Sequence, residues 1–550
     1  MRARADFEAA SWTLDTLDVL LSDRARSALA RDQRIPALVE LEGRSDAASI
    51  LTRLFVLGDE VNAEELEAAL PTLGIEGAKE LALVEAVGGD SGVAGCFIAL
   101  VDLRPYAVIA PDADAEEGTR ELNWWIASDR TSMQSGCALP ADHVLGVGGA
   151  STSLLEMTIR EPIDSALDMG CGCGIQAMHL KTHANRVVAT DLSTRACEYT
   201  RFNAALNRLD IEVREGSLFE PVAGEAFDLV VTNSPFVITP ELLRGDGLFE
   251  YRDGGMRRDE LVRRVVREGP ECLKSGGVLQ MIGNWEIFEG VDPDAEWSKR
   301  LESWFEALPV DAWVVQRDVL DTAQYVEMWL QDADPSDEVG ASDPSEHSSS
   351  ERDASRHSSS ERGLLEKASS EHSSPERALS KGALREHAYR TWLADFDLAG
   401  VDGVGMGFIA MRKHVGDEAE GVIRFDLGLA GARPRGEDVR RTLDALRLPE
   451  DLSGLRLVRA DDVTEERHYV PGSADPMILI LHQGAGLGRS IRVGTATSAI
   501  VGASDGELEV GQIVAAVALL TERDAAEITQ EVDKPLRELL RAGMLKIVEQ

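Results

Sequence analysis

Residues 166–175 read ALDMGCGCGI, and this stretch decides the fold of the chain. A short apolar run, typical of a buried β-strand, leads into a turn with alternating glycines, and a helical pattern follows. Glycines allow such a turn to tighten and allow a ligand to lie against bare backbone at the start of a helix. The stretch therefore predicts the first strand, turn and helix of a doubly wound α/β domain.

The spacing of the glycines indicates which cofactor the turn would take. A dinucleotide-binding turn has the pattern Gly-x-Gly-x-x-Gly, which would place its last glycine at position 175. That position is Ile, and the glycines of this chain are Gly170, Gly172 and Gly174. The acid before the turn, Asp168, suits a ligand with a cationic amino-acid end better than a pyrophosphate. Both features favour S-adenosylmethionine over a nicotinamide cofactor, and an ordinary strand-to-helix turn is the alternative.

Apolar strands and helical stretches alternate from about residue 140 to 415, as they do in doubly wound α/β domains. The predicted strands are 165–169, 186–190, 211–214, 229–232, 278–283, 312–319 and 403–411. We therefore expect a Rossmann-like domain with a seven-stranded sheet over this region.

The second and third predicted strands end in residues that suit the rest of the cofactor. Asp191 ends the second strand about twenty residues after the glycines, where a carboxylate accepts hydrogen bonds from both ribose hydroxyls. Its ordinary structural role would be to cap the next helix, since Asp is a good N-cap. Leu192 is next in the chain, and Ser217 and Leu218 follow the third strand, where adenine is expected. We predict that these four residues bind the cofactor.

Residues 229–240 read LVVTNSPFVITP and place a candidate acceptor site at the end of the fourth strand. An amide or aryl NH₂ is a poor nucleophile, because its lone pair is delocalised. The side-chain oxygen of Asn233 and the carbonyl of Ser234 can each accept one of its N–H bonds, which orients the nitrogen and stabilises its developing charge. Pro235 stiffens the turn, and Phe236 can stack on a planar acceptor. No general base is needed, and a plain turn is the alternative.

Together these motifs resemble the HemK/PrmC-type methyltransferases over roughly residues 140–300. The likeness covers residues 168–174, Asp191 and the NSPFVITP stretch at 233–240, and it continues at YRDGG, residues 251–255, in the eukaryotic-archaeal branch. This resemblance implies a class I methyltransferase fold and S-adenosylmethionine as cofactor. It also implies a glutamine side-chain amide as acceptor, in a peptide release factor or a ribosomal protein.

The acceptor stays open between two classes. The chain departs from the Asn-Pro-Pro-Tyr of the glutamine enzymes at Ser234 and Phe236, and related methyltransferases of ribosomal RNA guanine carry Asn-Pro-Pro-Phe. An amine of an RNA or DNA base is therefore the alternative acceptor. The net charge of −41 favours a protein, because a polyanion is repelled by phosphate backbones. A catalytically silent docking protein is a further alternative, against which the intact turn at 233–236 argues.

The composition indicates a folded intracellular chain. Its 550 residues exceed one ordinary domain, and an apolar fraction of 44% is normal for globular proteins. Its 6 cysteines are too few for a disulfide scaffold. No apolar run approaches the roughly 20 residues that span a bilayer, and the acidic start argues against a signal peptide. We expect a reduced, cytoplasmic protein without a membrane partner.

Two outer regions flank the catalytic one. In the first, residues 1–125, Asn62 is the predicted N-cap of a helix and residues 92–111 are predicted to form a β-hairpin. The last, residues 421–550, is α/β-like, and its Gly-rich segment 484–489 is predicted to be a hairpin turn rather than a phosphate cradle. Both regions are predicted to be winged-helix-like accessory domains, with packing or protein binding favoured over nucleic-acid binding.

Residues 332–386 interrupt the catalytic region with a polar repeat rich in Ser, Glu, Arg and His. Such sequence buries too little apolar surface to fold, so a disordered insert is predicted between the last two strands. Its histidines lack the spacing of a metal site. Cys171 and Cys173 are expected to be small residues that fit a tight turn rather than a metal or redox pair, so no metal is expected.

Overall fold

The computed structural model describes residues 2–87, 95–111, 118–135, 142–244, 255–331, 381–416, 420–428 and 434–548. Most of the predicted insert and most of the YRDGG stretch lie outside these residues. Among the described residues, no helix combines the length and the apolar composition that a membrane span needs.

The first part of the chain consists of short helices and small antiparallel sheets. Its helices are α1 (Arg2–Ala9), α2 (Leu14–Leu20), α3 (Asp23–Leu29), α4 (Ile35–Leu41), α5 (Ala47–Leu51), α6 (Ala63–Ala69), α7 (Gly74–Glu80) and α8 (Ser132–Ser135), with a π-helical turn at Thr52–Val56. Its strands are β1 (Val61–Asn62), β2 (Val84–Val87), β3 (Cys96–Ala99), β4 (Asp102–Pro111) and β5 (Thr119–Ser128). One sheet has the order β1-β3-β2, and β4 pairs with β5.

The predicted N-cap at Asn62 is confirmed, but the predicted hairpin at 92–111 is wrong. Asn62 Oδ1 accepts a hydrogen bond from Glu65 N at 2.9 Å, and the Glu65 carboxylate accepts one from Asn62 N. The hairpin is formed by β4 and β5 instead, with Asp102 opposite Ser128. The residues between β3 and β4 are apolar, so the pattern shows no break where the chain passes from one sheet to the next.

The middle part alternates strands and helices. Its strands are β6 (Ile163–Met169), β7 (Ala184–Asp191), β8 (Glu212–Glu215), β9 (Phe227–Thr232), β10 (Leu273–Phe288), β11 (Val310–Asp321), β12 (Val401–Lys413) and β13 (Ile423–Leu427). Its helices are α9 (Gly149–Met157), α10 (Ile175–Leu180), α11 (Thr194–Asn207), α12 (Glu241–Arg244), α13 (Glu260–Glu268), α14 (Ser298–Glu302), α15 (Thr322–Gln331) and α16 (Lys381–Ala399), with 3₁₀ turns at Glu220–Val222 and Gly269–Cys272.

These strands form one mixed sheet in the order β13-β11-β12-β10-β9-β6-β7-β8. The strands β8, β7, β6, β9 and β10 run parallel to one another, whereas β12 runs antiparallel to both β10 and β11. After β6, the chain adds β7 and β8 on one side of it and then β9 and β10 on the other. The direction in which strands are added therefore reverses between β6 and β9. This is an open, doubly wound α/β sheet, in agreement with the fold that the resemblance implies, and ligands of such sheets bind at the switch point.

All the predicted strands are present, but the predicted count of seven is too low, because the sheet has 8 strands within the described ranges. The additional strand, β13, pairs in parallel with β11, from Ala312 opposite Ile423 to Gln316 opposite Leu427. It lies in the stretch that was predicted to belong to the last domain. Its sequence, IRFDL, alternates charged and apolar residues, most of them half-buried, so no apolar run marks it.

The predicted insert at 332–386 lies largely outside the described residues, but its end is wrong, because α16 begins at Lys381. Ala388, Trp392 and Phe396 recur one helical turn apart and are 2%, 0% and 0% exposed. Burial of this apolar stripe stabilises the helix, and the polar residues before it continue the helix as its first turns. The predicted place of the insert is confirmed, since α15 and α16 both lie between β11 and β12.

The last part contains small antiparallel sheets and helices. Its helices are α17 (Gly436–Asp444), α18 (Thr495–Ala503), α19 (Val510–Thr521) and α20 (Ala525–Arg541). Its strands are β14 (Arg456–Arg459), β15 (Val463–His468), β16 (Ile478–Gln483), β17 (Ser490–Val493), β18 (Asp505–Glu509) and β19 (Leu545–Ile547). The sheets have the orders β18-β14-β19 and β15-β16-β17. The segment 484–489 joins antiparallel β16 and β17, so the predicted hairpin turn is confirmed.

One apolar core joins the first and middle parts. Trp12 and Trp125 of the first part are 0% and 2% exposed. They belong to the same buried cluster as Ile175 and Met178 of α10. The first part is therefore packed directly against the helix that follows the glycines.

Candidate active site

The ends of β6 and β9 bring the two predicted turns together. Met169 pairs with Thr232 in the parallel ladder. The glycine turn (residues 170–174) and the acceptor turn (residues 233–236) therefore leave the sheet side by side. Both start at the carboxyl edge of the strands, at the switch point where open α/β sheets bind ligands.

Two of the three glycines are required because neighbouring side chains leave no space for a Cβ atom. Gly170 has a φ of +75°, and a Cβ atom on it would lie 2.9 Å from Ser234 Oγ. Gly174 has a φ of +84°, and its Cβ would lie 2.9 Å from Thr200 Cγ2. Gly172 faces open space instead, because no described atom lies within 4 Å of a Cβ built on it. The turn is thus held by protein at both ends and leaves its centre free for a ligand.

Asp168, the acid before the glycine turn, is fully buried, with 0% exposure. Its Oδ2 accepts a hydrogen bond from Ala177 N at 2.8 Å, in the first turn of α10. Its Oδ1 has no hydrogen-bond partner among the described residues. Burial raises the pKa of Asp168 to about 7, and the Asp191 carboxylate adds to the effect. An unpaired buried acceptor is unfavourable, and the ammonium of an amino-acid ligand would supply the missing donor.

Asp191 holds the glycine turn from the end of β7. Its Oδ2 accepts a hydrogen bond from Gly172 N at 3.0 Å, and its Oδ1 accepts one from Ser193 N at 2.9 Å. Burial raises the pKa of this carboxyl group as well. Helix α11 is capped by Ser193, whose hydroxyl accepts a hydrogen bond from Ala196 N at 3.2 Å. The alternative interpretation of Asp191 as the helix cap is therefore wrong, and its carboxylate keeps acceptor capacity for ribose hydroxyls.

The other predicted cofactor residues lie along the same edge of the sheet. Leu192 is 71% exposed beside Asp191. Ser217 and Leu218 follow β8, and the preceding Gly216 N donates to Asp191 O at 2.9 Å. Leu218 packs, partly buried, against the core of the sheet. Exposed apolar surface next to a polar loop suits the face and the edge of an adenine ring.

Asn233 is held by the first helix of the middle part. Its Nδ2 donates to Ser151 Oγ of α9 at 3.1 Å. Its Oδ1 is buried and has no hydrogen-bond partner in the part of the chain that the structure describes. Ser151 is itself held by Gln176 of α10, whose Nε2 donates to Ser151 O at 2.9 Å. The Asn233 oxygen is thus fixed as a free acceptor beside the glycine turn.

The rest of the acceptor turn divides into buried and exposed residues. Ser234 is buried, its Oγ lies 2.5 Å from Thr232 Oγ1, and its N–H donates to the same oxygen at 3.2 Å. A proline at position 234 would lose that N–H. Pro235 is exposed, and Phe236 is half-buried against the core. The Phe236 ring therefore keeps an accessible part that can contact a planar acceptor.

Sequence reasoning missed Ser151 and two polar residues of α11 that hold the glycine turn. Thr200 Oγ1 donates to Gly172 O at 2.9 Å, and Asn203 Nδ2 donates to Cys173 O at 2.8 Å. Asn is unfavourable inside helices, because its side chain competes for backbone hydrogen bonds. A buried polar role for Asn203 was therefore detectable in principle, whereas Ser151 lies in a run of small polar residues without any pattern.

The cysteines of the glycine turn are packing residues. Cys171 and Cys173 are 4% and 3% exposed. Burial raises the pKa of Cys173 to about 11, so its thiol stays protonated and is a poor metal ligand or nucleophile. Within the described ranges, no group of three or more His, Cys, Asp or Glu side chains is placed to hold a metal ion.

This geometry fits S-adenosylmethionine. Gly172 leaves space against the backbone of the turn, and the buried Asp168 Oδ1 accepts no hydrogen bond from the described residues. The Asp191 carboxylate lies at the same edge of the sheet and can accept further hydrogen bonds. Across the turn, Asn233 Oδ1 is an acceptor for an N–H group. The arrangement can therefore hold a methyl donor and a planar nitrogen next to each other.

Comparisons with protein families give two matches. Residues 147–247 match the methyltransferase small domain, which includes both the glycine turn and the acceptor turn. Residues 9–95 match a domain of unknown function (DUF7059), which includes most helices of the first part.

Several curated methyltransferases are similar to the middle part. A putative protein N5-glutamine methyltransferase of Methanocaldococcus jannaschii is 32% identical over 174 residues, which cover 30% of this chain and 88% of that protein. The release factor glutamine methyltransferase of Deinococcus radiodurans is 36% identical over 136 residues, covering 23% and 47%. Ribosomal RNA small subunit methyltransferase C of Alcanivorax borkumensis is 34% identical over 121 residues, covering 22% and 32%. The chain thus spans less than half of the length of these two bacterial relatives.

Solved structures give weaker similarity. An S-adenosylmethionine-dependent methyltransferase from Clostridium acetobutylicum is 21% identical with a TM-score of 0.17, covering 22% of this chain and 43% of that one. The family assignment rests on the Methanocaldococcus jannaschii protein, because at 32% identity it is matched over 88% of its own length. The chain therefore belongs to the HemK/PrmC-type family of S-adenosylmethionine-dependent methyltransferases.

Proposed function

We propose that this chain methylates the side-chain amide nitrogen of a glutamine in a protein. The observation that carries the proposal is the buried Asn233 Oδ1, which has no hydrogen-bond partner among the described residues and lies beside the glycine turn. A glutamine amide offers the N–H donors that this oxygen lacks. Its nitrogen also needs to be oriented, because its lone pair is delocalised.

The acceptor turn then acts as a positioning device. Asn233 Oδ1 accepts one N–H of the amide, and the carbonyl of Ser234 accepts the other. These hydrogen bonds orient the nitrogen and strengthen as positive charge develops on it. Pro235 restricts the backbone of the turn, and Phe236 stacks on the planar amide. The lost amide proton passes to solvent, so the chain needs no general base.

The glycine turn holds the cofactor. When bound, S-adenosylmethionine supplies a methyl group on a positively charged sulfur. Asp168 balances the ammonium of the amino-acid end, and Asp191 binds the ribose hydroxyls. Gly172 leaves room for the cofactor to lie against the backbone, while Gly170 and Gly174 let the turn pack closely against Ser234 and Thr200. Leu192, Ser217 and Leu218 surround the adenine.

A protein acceptor is supported by two observations. Relatives at 32% and 36% identity are named for glutamine methylation, and the net charge of −41 disfavours a nucleic acid. The second candidate is a guanine amine in RNA. Phe236 favours it, since the Asn-Pro-Pro-Phe enzymes have an aromatic residue without a hydroxyl there, and a relative at 34% identity is named for ribosomal RNA.

We also propose that the outer parts are winged-helix-like modules that recruit the acceptor protein. In the first part, β1, α6, α7, β2 and β3 follow one another, and the last strand lies in the middle of the sheet. In the last part, β18, α19, α20 and β19 follow one another, and β14 occupies the middle position. The proposed domains are 1–125, 140–415 and 421–550, except that β5 extends the first and β13 belongs to the second.

Incubation with labelled S-adenosylmethionine and separate pools of protein and RNA tests the function. Label is expected in protein, and acid hydrolysis should release it with the glutamine amide nitrogen. The matched control is Asn233→Ala, which should transfer almost no label. Label found only in RNA would overturn the proposed acceptor. Label in neither pool, with cofactor bound, would support the silent docking protein instead.

A further inference from the structure

Two side chains from distant helices fix the segment after the acceptor turn. Ile238, which follows Asn233 closely in the chain, is 2% exposed. Its N–H donates to Tyr325 Oη at 2.9 Å, and its carbonyl accepts a hydrogen bond from Trp392 Nε1 at 2.9 Å. Side chains thus satisfy both main-chain polar groups of one buried residue, where backbone partners are the rule.

The two side chains come from the helices on either side of residues 332–380. Tyr325 lies on α15 and Trp392 on α16, and both are 0% exposed. Their rings meet edge to face, with centroids 6.5 Å apart. Phe396 packs against Tyr325 in the same way at 6.0 Å. Edge-to-face packing restricts the rotation of all three rings, so both hydrogen-bonding atoms have fixed positions.

Asn284 of β10 ties this aromatic cluster to the central sheet. It is 0% exposed, and its Nδ2 donates to Tyr325 Oη at 3.1 Å. Burial raises the pKa of the Tyr325 hydroxyl, which therefore stays protonated. The Tyr325 oxygen accepts hydrogen bonds from Ile238 and Asn284 together. Through Tyr325, the segment after the acceptor turn is thus held against the same sheet that carries Asn233.

We propose that Tyr325 and Trp392 are positioning residues that hold the acceptor turn in register with the glycine turn. The proposal rests on the proposed function, because it concerns the acceptor side of the site. Without either anchor, a buried polar group of Ile238 is unpaired and the segment shifts to satisfy it. Asn233 Oδ1 shifts with it, since Pro235 stiffens the chain between them. Displacements of up to about 1 Å at a reacting group can cost as much as about 100-fold in rate.

Cofactor binding is not expected to depend on these anchors. Main-chain hydrogen bonds to Thr190 O and the side chains of Asp191, Thr200 and Asn203 hold the glycine turn, and Ser234 of the acceptor turn packs against it at Gly170. Tyr325 and Trp392 act on the chain beyond Asn233 instead. A pure positioning role therefore predicts a fall in kcat while the Kd for the cofactor is retained.

The test compares Tyr325→Phe and Trp392→Phe with a matched control, Tyr389→Phe. Tyr389 lies on α16 as well, but its hydroxyl bonds to Glu327 at 3.0 Å near the surface. Hydrogen–deuterium exchange of the peptide over 233–243 is read on the full chain with S-adenosylhomocysteine bound. The anchor variants should exchange about tenfold faster and lose about tenfold in kcat, with the cofactor Kd within about twofold. The control should match the wild type in every measurement.

Unchanged exchange and unchanged kcat in Tyr325→Phe would overturn the proposal. So would a parallel loss of cofactor affinity, because it would indicate general destabilisation. If Trp392→Phe does not fold, Tyr325→Phe decides, since it removes only one oxygen atom. The exchange measurement needs no acceptor. A wild type that labels no glutamine would therefore contradict the proposed function, while the exchange rates would still decide whether the anchor exists.

Discussion

Asn203 Nδ2 lies 2.8 Å from the main-chain oxygen of Cys173 and 2.8 Å from that of Ala127. Asn203 Oδ1 also accepts a hydrogen bond from Ala127 N. One helical turn later, Asn207 bonds the N–H and the carbonyl of Trp125 in the same way. The two asparagines of α11 thus form hydrogen bonds with the main-chain N–H and C=O groups on the edge of β5 that does not pair with β4. Of the two, Asn203 also holds the glycine turn.

Asn203→Ala is expected to weaken cofactor binding about tenfold, because Cys173 O loses its donor and the glycine turn is held less firmly. It should also lower the free energy of unfolding by about 1–3 kcal/mol, since polar groups of β5 are left unpaired. Calorimetric titration with S-adenosylhomocysteine and denaturant unfolding measure the two effects.

Asn207→Ala is the matched control for this prediction. It also leaves backbone groups of β5 unpaired, but Asn207 does not bond the glycine turn in the described contacts. A similar loss of stability is expected, with cofactor affinity within about threefold of the wild type. Equal losses of affinity in both variants would show that Asn203 acts only through the docking of the first part.

Cofactor binding is expected to strengthen as the pH rises from about 5.5 to about 7.5. Burial raises the pKa of Asp168 to about 7, so its carboxyl group is mostly protonated at the lower pH. The ammonium of the cofactor binds the ionised form, which means that binding lowers the pKa and releases a proton. Calorimetry at pH 7 in buffers of different ionisation enthalpy measures that proton. Asp168→Asn should remove the pH dependence, and a wild type with the same affinity across this range would refute the role.

The central sheet was largely predictable from sequence. Strands buried on both faces are near-continuous apolar runs, and β9 is an example. Strand β13 was missed because it carries Arg424 and Asp426. These two side chains pair with each other at 2.7 Å, and Asp426 also pairs with Arg489 at 2.8 Å. Charges that are satisfied by a distant part of the chain can enter a sheet without any local apolar pattern.

The candidate site was predictable only where it is built from local motifs. The glycine turn and the acceptor turn each lie within a few consecutive residues. Their supports lie far away in the chain, since Ser151 contacts Asn233 across 82 positions and Asn203 contacts Ala127 across 76. Such pairs depend on which helix packs against which strand. The same reason explains the misplaced hairpin, because the pattern of apolar residues does not say which strands pair.

Deletion of residues 332–380, with a short Gly/Ser linker between α15 and α16, is expected to leave cofactor affinity unchanged. The cost of loop closure changes only slowly with length, and both flanking helices keep their buried faces. Deletion to residue 386 should lower the melting temperature, because it also removes the first turns of α16. Cofactor titration and thermal unfolding of the two deletions check this. A tenfold loss of affinity in the shorter deletion would show that these residues act at the site.

Asn233→Ala is expected to lose about 100-fold to 1000-fold in kcat, or about 3–4 kcal/mol, because one preorganised hydrogen bond to the reacting nitrogen is removed. Cofactor affinity should barely change, since Asn233 faces the acceptor side of the glycine turn. Asp191→Ala should do the reverse and weaken cofactor binding first, because Gly172 N then loses its acceptor. Ser151→Ala is the graded control, since it frees the Asn233 amide but leaves its oxygen in place, so a smaller fall in kcat is expected. Steady-state kinetics with saturating acceptor, together with calorimetry, separate these effects. If Asn233→Ala kept more than about a third of the wild-type kcat, the acceptor turn would not be the catalytic centre.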